Sequence, residues 1–251
     1  MRRAFPACSS KDDMDYPDSS GKRYFLARHA YACAAGDQLV FLELHSGKYL
    51  RVATSSSGAL AKWVSGWPGT GAREERPKVL QDLLERGVLT TDIARGKDAT
   101  FACPPARAKA LADMALSSPS RINLRHLSAF FRAVAIARFS LALKKLTPIV
   151  DRTRRRKAAP EKTAAAFELS HLRGLLEIFD TLRPFAFGTH DVCLLHSITL
   201  LEFLAQYRIF PNWILGIQTT PFRAHSWVQY EEYLLSDTPA GVEMFTPILV
   251  V

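Results

Sequence analysis

Cysteine is scarce in this chain, and the cysteines that occur are widely spaced. Four of them are spread over 251 residues without a C-x-x-C pair. A disulfide framework needs a denser set in a shorter secreted chain, and a zinc site needs closely spaced ligand pairs. We therefore expect free thiols, no bound metal and a reducing, cytoplasmic location.

Long apolar runs and nucleotide-binding loops are also lacking. The most apolar stretch, 129–146, is interrupted by four basic residues, and Met1-Arg2-Arg3 is not followed by an apolar segment. These features predict neither a transmembrane segment nor a signal peptide. No G-x-x-x-x-G-K-[ST] pattern occurs, so the sequence predicts no standard phosphate loop, and no cofactor is evident.

What the chain does have is an ordinary globular composition with a basic middle. Hydrophobic residues make up 48% of it and charged residues 23%, which suits one large domain or two small ones. The formal charge is +9, but residues 101–165 alone hold 14 basic and 3 acidic residues. The run 151–157 could bind nucleic acid, an acidic membrane surface or an acidic partner, yet it lacks interleaved aromatic residues. We interpret it as an exposed connector and expect no nucleic-acid partner.

The pattern of apolar and turn residues divides the chain into three parts and predicts an α+β fold. Residues 1–22 are polar and predict a disordered tail. Residues 23–103 begin with three strand-like runs separated by turn residues, and continue with two helical patterns, of which the second ends at Gly87. The sequence Cys103-Pro104-Pro105 predicts a boundary. Residues 104–251 open with a basic, helical portion. Helices are predicted at 121–146, about 161–182 and 192–207, and antiparallel strands at 213–218, 225–230 and 233–236.

Cys193 is the first candidate for chemistry. It follows Gly188-Thr189-His190-Asp191, a sequence typical of a helix start, which predicts the thiol in the first turn of a helix. The helix dipole and free N–H groups there stabilise a thiolate and lower the thiol pKa. A cysteine on an apolar helix is also a common core residue, and that interpretation stays open.

His225 and Asp237 strengthen the catalytic interpretation. His225 and Trp227 share one face of their strand, and Asp237 follows His225 by twelve residues. We predict that an odd-membered turn centred on Glu231 sets Asp237 opposite His225, where it would orient the imidazole toward the thiol. Neighbouring histidines could instead be the base or merely polar neighbours of the site. His225 is favoured because Asp237 can orient it; the competitors are His196, at i+3 from the thiol, and His190.

The sequence around this candidate triad resembles the B proteins of lasso-peptide biosynthesis. The residues that carry the resemblance are Cys193-Leu194-Leu195-His196-Ser197, Gly216, Pro221 to Val228, Asp237 and Phe245 to Leu249. The resemblance covers roughly residues 104–251 and implies a leader peptidase with a transglutaminase-like, papain-type fold. By position it implies Cys193 as nucleophile, His225 as base and Asp237 as the residue that orients it. Many members carry arginine at the position of His196, so any role of that arginine does not transfer.

Residues 23–103 resemble a PqqD-type precursor-recognition element with winged-helix architecture, on the runs Leu42 to Leu50 and Leu84 to Leu89. The resemblance implies that a leader peptide adds as a strand beside 48–52 and packs against a helix at about 75–86. An alternative is that the leucines of this helix are core residues. The expected leader-binding residues are Lys48, Tyr49, Leu50, Arg51, Val52, Val79, Leu80 and Leu83.

Together the two resemblances imply a protein that binds the leader of a lasso precursor peptide and removes it. An asparagine-synthetase-like lasso cyclase would be the second partner, and any ATP dependence would come through it. Two other functions remain open. One is an acyltransferase on the same triad, in which an amine resolves the thioester. The other is a winged-helix DNA-binding regulator, against which the lack of a concentrated basic face in residues 23–100 argues.

Overall fold

The computed structural model describes residues 24–69, 78–102, 109–110, 121–143, 145–158, 169–188 and 193–251. The predicted tail 1–22, the predicted boundary at 103–105, and His190 lie outside these ranges. The described residues form a mixed α/β arrangement with three small sheets. Among them, no helix is both long enough and apolar enough to cross a membrane.

The N-terminal part is built on an antiparallel sheet of three sequential strands, which we call the N-terminal sheet. Gly36 and Gly47 adopt φ values of 61° and 66°, and these left-handed turns join its strands, as the sequence predicts. Two helices follow the sheet, and a small sheet of β1, β5 and β6 lies beside it. The elements are β1 (Phe25–Ala27), β2 (Ala30–Ala35), β3 (Gln38–Glu43), β4 (Lys48–Ala53), α1 (Ser57–Trp63), α2 (Lys78–Glu85), β5 (Leu89–Thr90) and β6 (Gly96–Lys97).

The N-terminal sheet is covered on both faces. Leu39 and Phe41 of β3 pack into a core with α1 and α2, whereas Val40 and Leu42 face a second, larger core. That larger core, here called the main core, also contains Phe130 and residues of the C-terminal helices and strands. Strand side chains alternate, so a strand buried on both faces reads as the continuous apolar run 39–42. The N-terminal and C-terminal parts of the chain therefore share one hydrophobic core.

The basic run 151–157 is part of a helix, so its prediction as a connector was wrong, although Arg154, Arg155 and Lys157 are exposed as expected. The helices of this region are α3 (Leu124–Ala142), α4 (Thr147–Ala158) and α5 (Leu169–Leu182). From α4, Arg152 and Arg156 form ion pairs of 2.8 and 3.0 Å with Glu202, which is only 3% exposed. Arg154 donates a 2.7 Å hydrogen bond to the Tyr31 hydroxyl. A buried carboxylate needs charged partners, so part of the basic excess neutralises the interior.

The C-terminal part is a helix packed on a mostly antiparallel sheet with strand order β11-β8-β9-β10-β7. The three strands predicted from the sequence are confirmed. Thr246–Val250, for which no strand was predicted, pairs with β8 at the edge of the sheet. The elements are β7 (Lys109–Ala110), α6 (Cys193–Ala205), β8 (Asn212–Thr219), β9 (Phe222–Tyr230), β10 (Tyr233–Leu234), α7 (Pro239–Val242) and β11 (Thr246–Val250).

Candidate active site

The thiol of Cys193 lies at the start of α6, half-buried, where that helix packs against β9. The backbone N–H of Leu194, in the first turn, donates a hydrogen bond to the sulfur. Such free N–H groups at a helix start favour a negatively charged ligand. Cys193 is the first residue of α6 that the structure describes, and the predicted N-cap Asp191 lies outside the described residues.

The thiol of Cys193 reaches the sheet because α6 lies along an edge of β9. Strand β10 pairs with β9 only as far as Val228, whose carbonyl accepts from Leu235 N–H at 2.9 Å. Beyond that point no strand among the described residues pairs with this edge, and α6 lies beside it instead. Its Ser197 hydroxyl donates to the Ser226 carbonyl at 2.9 Å, and the Ser226 N–H donates to the sulfur of Cys193. The strand edge thereby fixes the position of the thiol.

His225 joins the thiol to a carboxylate. Its Nε2 hydrogen-bonds Asp237 Oδ2, and the ring also forms a hydrogen bond with Cys193. The bond to Asp237 and then the bond to Cys193 raise the pKa of His225 to about 9. Burial opposes ionisation of Cys193, but the hydrogen bond and charge of His225 outweigh it and lower the thiol pKa. The two shifts together favour a thiolate–imidazolium pair.

Asp237 reaches His225 by a different route from the one that the sequence predicted. The turn between β9 and β10 contains two residues, Glu231 and Glu232, because Tyr233 pairs with Tyr230. The predicted odd-membered turn was therefore wrong. Continuing the observed register would set Thr238 rather than Asp237 opposite His225. Instead the chain leaves the sheet after Leu234, and the carboxylate meets the imidazole from outside the ladder.

The carboxylate of Asp237 is held by its own neighbours. Its Oδ1 accepts the backbone N–H of Thr238 at 2.7 Å, and the Thr238 side chain caps the short helix α7. Gly241 of α7 lies so close that a Cβ there would overlap Oδ1 of Asp237. The bond to His225 and the Thr238 N–H act against the effect of burial and hold the pKa of Asp237 below its usual range.

Aromatic rings enclose the imidazole of His225. Phe245 lies 4.9 Å away between ring centroids, and Trp227 stacks at 6.0 Å. Trp227 is only 3% exposed. Its ring lies over Gly216, and a Cβ at Gly216 would come within 2.6 Å of the ring. The prediction of Trp227 as a neighbour of the site thus agrees with the geometry. Such a wall limits the access of water to the His225–Asp237 pair.

His196 is a neighbour of the site but not the residue bonded to the thiol. Its ring packs against Phe179 and Phe187 at 5.4 and 5.8 Å, and its Nε2 has no hydrogen-bond partner. Burial and then the charge of Arg183 lower its pKa to about 4, so the ring is neutral at neutral pH. A neutral, apolar-packed imidazole is poorly suited to pair with a thiolate.

Strand β4 of the N-terminal sheet borders the site. The ring of Tyr49 packs edge-on against Phe222 at 5.6 Å, and the guanidinium of Arg51 lies 5.1 Å from the same ring. Burial and then the charge of Cys193 raise the pKa of Tyr49 to about 12. The structure therefore brings one predicted leader-binding residue, Tyr49, within electrostatic range of the thiol.

The other predicted leader-binding residues divide into two groups. Leu80 and Leu83 are fully buried in the core under α1 and α2, so their side chains are core residues, and their prediction as ligand contacts needs correction. Apolar side chains of α2 and β4 remain half-buried at the border of the same core; these are Val79, Leu50 and Val52. Lys48 is exposed at the start of β4.

Several contributors to this geometry were missed from the sequence. Ser197 and Ser226 connect α6 to the strand edge, Gly241 admits the carboxylate, and Phe245 covers the imidazole. Ser197 stands at i+4 from Cys193, a spacing that could have marked it as a neighbour on the same helix face. The other three residues carry no local signal, because their roles depend on contacts between distant segments.

The comparisons with known proteins address the C-terminal part. Residues 133–250 match a family model described as the transglutaminase-like superfamily, a stretch that includes Cys193, His225 and Asp237. A comparison with curated proteins gives no significant match, and a comparison with solved structures gives none either. Enzymes of this superfamily are generally cysteine-based, which agrees with a cysteine peptidase or transglutaminase type of activity. Residues 133–250 are therefore similar to the transglutaminase-like superfamily.

Proposed function

We propose that this protein binds the leader of a lasso precursor peptide along β4 and cleaves the bond between leader and core with Cys193. The observation that carries the proposal is the proximity of an open strand edge to an activated thiol. Tyr49 lies on that strand, and its ring packs at 5.6 Å against Phe222 of β9, the strand that carries His225. A peptide bound at β4 would thus have the thiol close to its path.

The chemistry follows from the thiolate–imidazolium pair. The sulfur of Cys193 attacks the carbonyl carbon of the scissile bond, and the carbon–nitrogen bond then breaks with transfer of the imidazolium proton to the leaving nitrogen. The core departs with a free N-terminal amine, and the leader remains as a thioester on Cys193. Water, deprotonated by the now neutral His225, releases the leader carboxylate. Asp237 holds the imidazole in the orientation that both steps need.

Leader docking would use the backbone of β4. Leu50 pairs with Phe41, and Thr54 N–H donates to the Asp37 carbonyl at 2.9 Å, so every second N–H of this strand is engaged by β3. Alternation then directs the intervening N–H and C=O groups, those of Tyr49, Arg51 and Ala53, to the outer edge. A leader strand added at this edge would gain main-chain hydrogen bonds, and the half-buried side chains would supply selectivity.

Docking next to the thiol makes cleavage effectively intramolecular. A site that holds the leader raises the local concentration of the scissile bond, so the catalytic site itself needs little selectivity. The freed amine of the core is the group that a macrolactam-forming cyclase consumes. We propose an asparagine-synthetase-like lasso cyclase as the partner that receives it, and any ATP requirement as that partner's.

Acyl transfer to an amine is the second candidate, and the transglutaminase-like match is the observation that favours it. The first half of the reaction is then the same, but an amine rather than water attacks the thioester. The leader would leave as an amide instead of a carboxylate. The arrangement of Cys193, His225 and Asp237 is compatible with attack by water or by an amine, so the reaction product must distinguish hydrolysis from acyl transfer.

Isotope labelling distinguishes hydrolysis from acyl transfer to an amine. A matched precursor is incubated with the protein in water enriched in oxygen-18, with and without a small primary amine, and the leader fragment is weighed by mass spectrometry. Hydrolysis predicts one heavy oxygen in the new leader carboxylate and no amide when the amine is present. Acyl transfer predicts the amide as the main product. Failure to cut the precursor in either condition would contradict both candidates.

A further inference from the structure

Three side chains with metal-ligating atoms meet at one end of the N-terminal sheet. His29 lies between β1 and β2, Glu43 is the last residue of β3, and His45 opens the turn to β4. His45 Nδ1 is 3.1 Å from Glu43 Oε1, and His29 Nε2 is 3.8 Å from the same oxygen. All three ligand atoms lie within 4.8 Å of one another.

The three side chains are held in place by the backbone around them. The carboxylate of Glu43 accepts the N–H groups of His45 at 2.6 Å and Ser46 at 2.8 Å. Leu44 N–H donates to the His29 carbonyl at 3.0 Å, which ties the two turns together. The ring of His29 also hydrogen-bonds the backbone of Gly87. Metal-ligating imidazoles and carboxylates are commonly oriented by such bonds to the backbone.

The hydrogen bonds of the Glu43 carboxylate to the β3–β4 turn explain only part of this arrangement of three side chains. The bonds from His45 and Ser46 account for Glu43, but they give no reason for the second imidazole. At 3.8 Å, His29 Nε2 is too far from Glu43 Oε1 for a hydrogen bond. Yet the two imidazole rings lie only 4.2 Å apart between centroids. Ligand atoms around a tetrahedral zinc ion stand about 3.3 Å apart, given metal–ligand bonds of about 2.0–2.1 Å.

We propose that His29, Glu43 and His45 bind one divalent transition-metal ion of the zinc class, with solvent at the fourth position. Two imidazoles and one carboxylate suit zinc, cobalt or nickel, whereas calcium and magnesium prefer oxygen ligands alone. The ion would join the β1–β2 connection to the turn that leads into β4. Its role is structural and separate from Cys193.

The test uses the full-length Cys193→Ala variant, so that the thiol of the active site cannot compete for the metal. After chelation and dialysis, zinc is titrated by calorimetry, and cobalt is titrated by its visible absorption. We expect one equivalent to bind with a tetrahedral cobalt spectrum and a raised melting temperature. His45→Ala and His29→Ala should each weaken binding at least about tenfold. His171→Ala, at an exposed position on α5, should leave it unchanged.

His45 is exposed and lies in a turn, so we expect the His45→Ala variant to keep the N-terminal sheet. Equal melting temperatures of the metal-free proteins show that each variant is folded. Binding that is unaffected by both His45→Ala and His29→Ala would overturn the proposal, as would the absence of any zinc binding in the parent. Loss of binding in His171→Ala alone would assign the metal to another surface and overturn it equally.

Discussion

The imidazole of His225 bonds Asp237 through Nε2 and also forms a hydrogen bond with Cys193, so one ring links a carboxylate to a thiol. The thiol is fixed independently by the N–H groups of Ser226 and Leu194. Charge on the sulfur and charge on the ring therefore stabilise each other. Cys33 has the opposite environment, because burial in the main core raises its pKa to about 12.

The first prediction concerns pH. Catalysis needs the thiolate and the imidazolium, so kcat/KM should rise with pH through the lowered pKa of Cys193. It should fall as His225 loses its proton near pH 9. Asp237→Asn removes the largest cause of the raised pKa of His225, so the alkaline limb should move to lower pH. Cleavage rates of a leader–core peptide across both limbs provide the measurement. An alkaline limb that stays in place in Asp237→Asn would contradict the assignment of Asp237.

The second prediction concerns Gly241. A Cβ at this position would overlap the Asp237 carboxylate, so Gly241→Ala should push that group away from His225. We expect kcat to fall about 10- to 100-fold with KM nearly unchanged, because substrate binding is left intact. Gly58→Ala, in α1, is the matched control, since a Cβ there meets nothing within 4 Å. Equal kinetics for the two variants would mean that the position of Asp237 does not matter.

The third prediction concerns the edge of β4. Arg51→Pro removes an N–H group that faces outward while leaving the bonds to β3 intact, and proline is tolerated on edge strands. Leader affinity should weaken about tenfold, which corresponds to one or two lost hydrogen bonds. Arg51→Ala is the control, because it removes the same side chain but keeps the N–H. Fluorescence anisotropy of a labelled leader peptide measures both. Equal affinities would place the docking edge elsewhere.

The fourth prediction concerns the shared core. Leu42 of the N-terminal sheet is fully buried in the main core, which also contains residues of α3, α6 and the C-terminal strands. Leu42→Ala should lower the free energy of unfolding by about 2–5 kcal/mol. Unfolding in urea should remain one transition for the whole protein, with circular dichroism and tryptophan fluorescence changing together. Two separate transitions would show instead that residues 23–103 fold as an independent domain.

Much of the local structure could be predicted from the sequence because its signals are local. Gly36 and Gly47 mark the left-handed turns of the N-terminal sheet, and Gly87 marks the end of α2. The apolar run after Cys193 likewise predicts the helix that is observed as α6. These signals depend on backbone preferences within a few residues, so they do not require knowledge of the tertiary structure.

The rest depends on contacts between distant segments. Glu231 adopts a left-handed φ of 51°, which glutamate rarely does, so the sequence Glu231-Glu232 does not predict a two-residue turn. The pairing of Arg152 and Arg156 with Glu202 joins helices that are far apart in the chain, and without it a basic run resembles an exposed connector. The position of Asp237 outside the sheet likewise depends on contacts between distant segments. The residues of the site could be identified, but not the path that brings them together.

The most direct measurement is the mass spectrum of a matched lasso precursor after incubation with the wild type, Cys193→Ala and Cys33→Ala. The wild type and Cys33→Ala should release the leader and the core by cutting one bond, because of the two cysteines that the structure describes, Cys193 has a lowered thiol pKa and Cys33 a raised one. Cys193→Ala should return the precursor uncut while still binding the leader, since the docking strand is unchanged. Normal processing by Cys193→Ala would contradict the account and favour a role, such as that of a regulator, in which this thiol is dispensable.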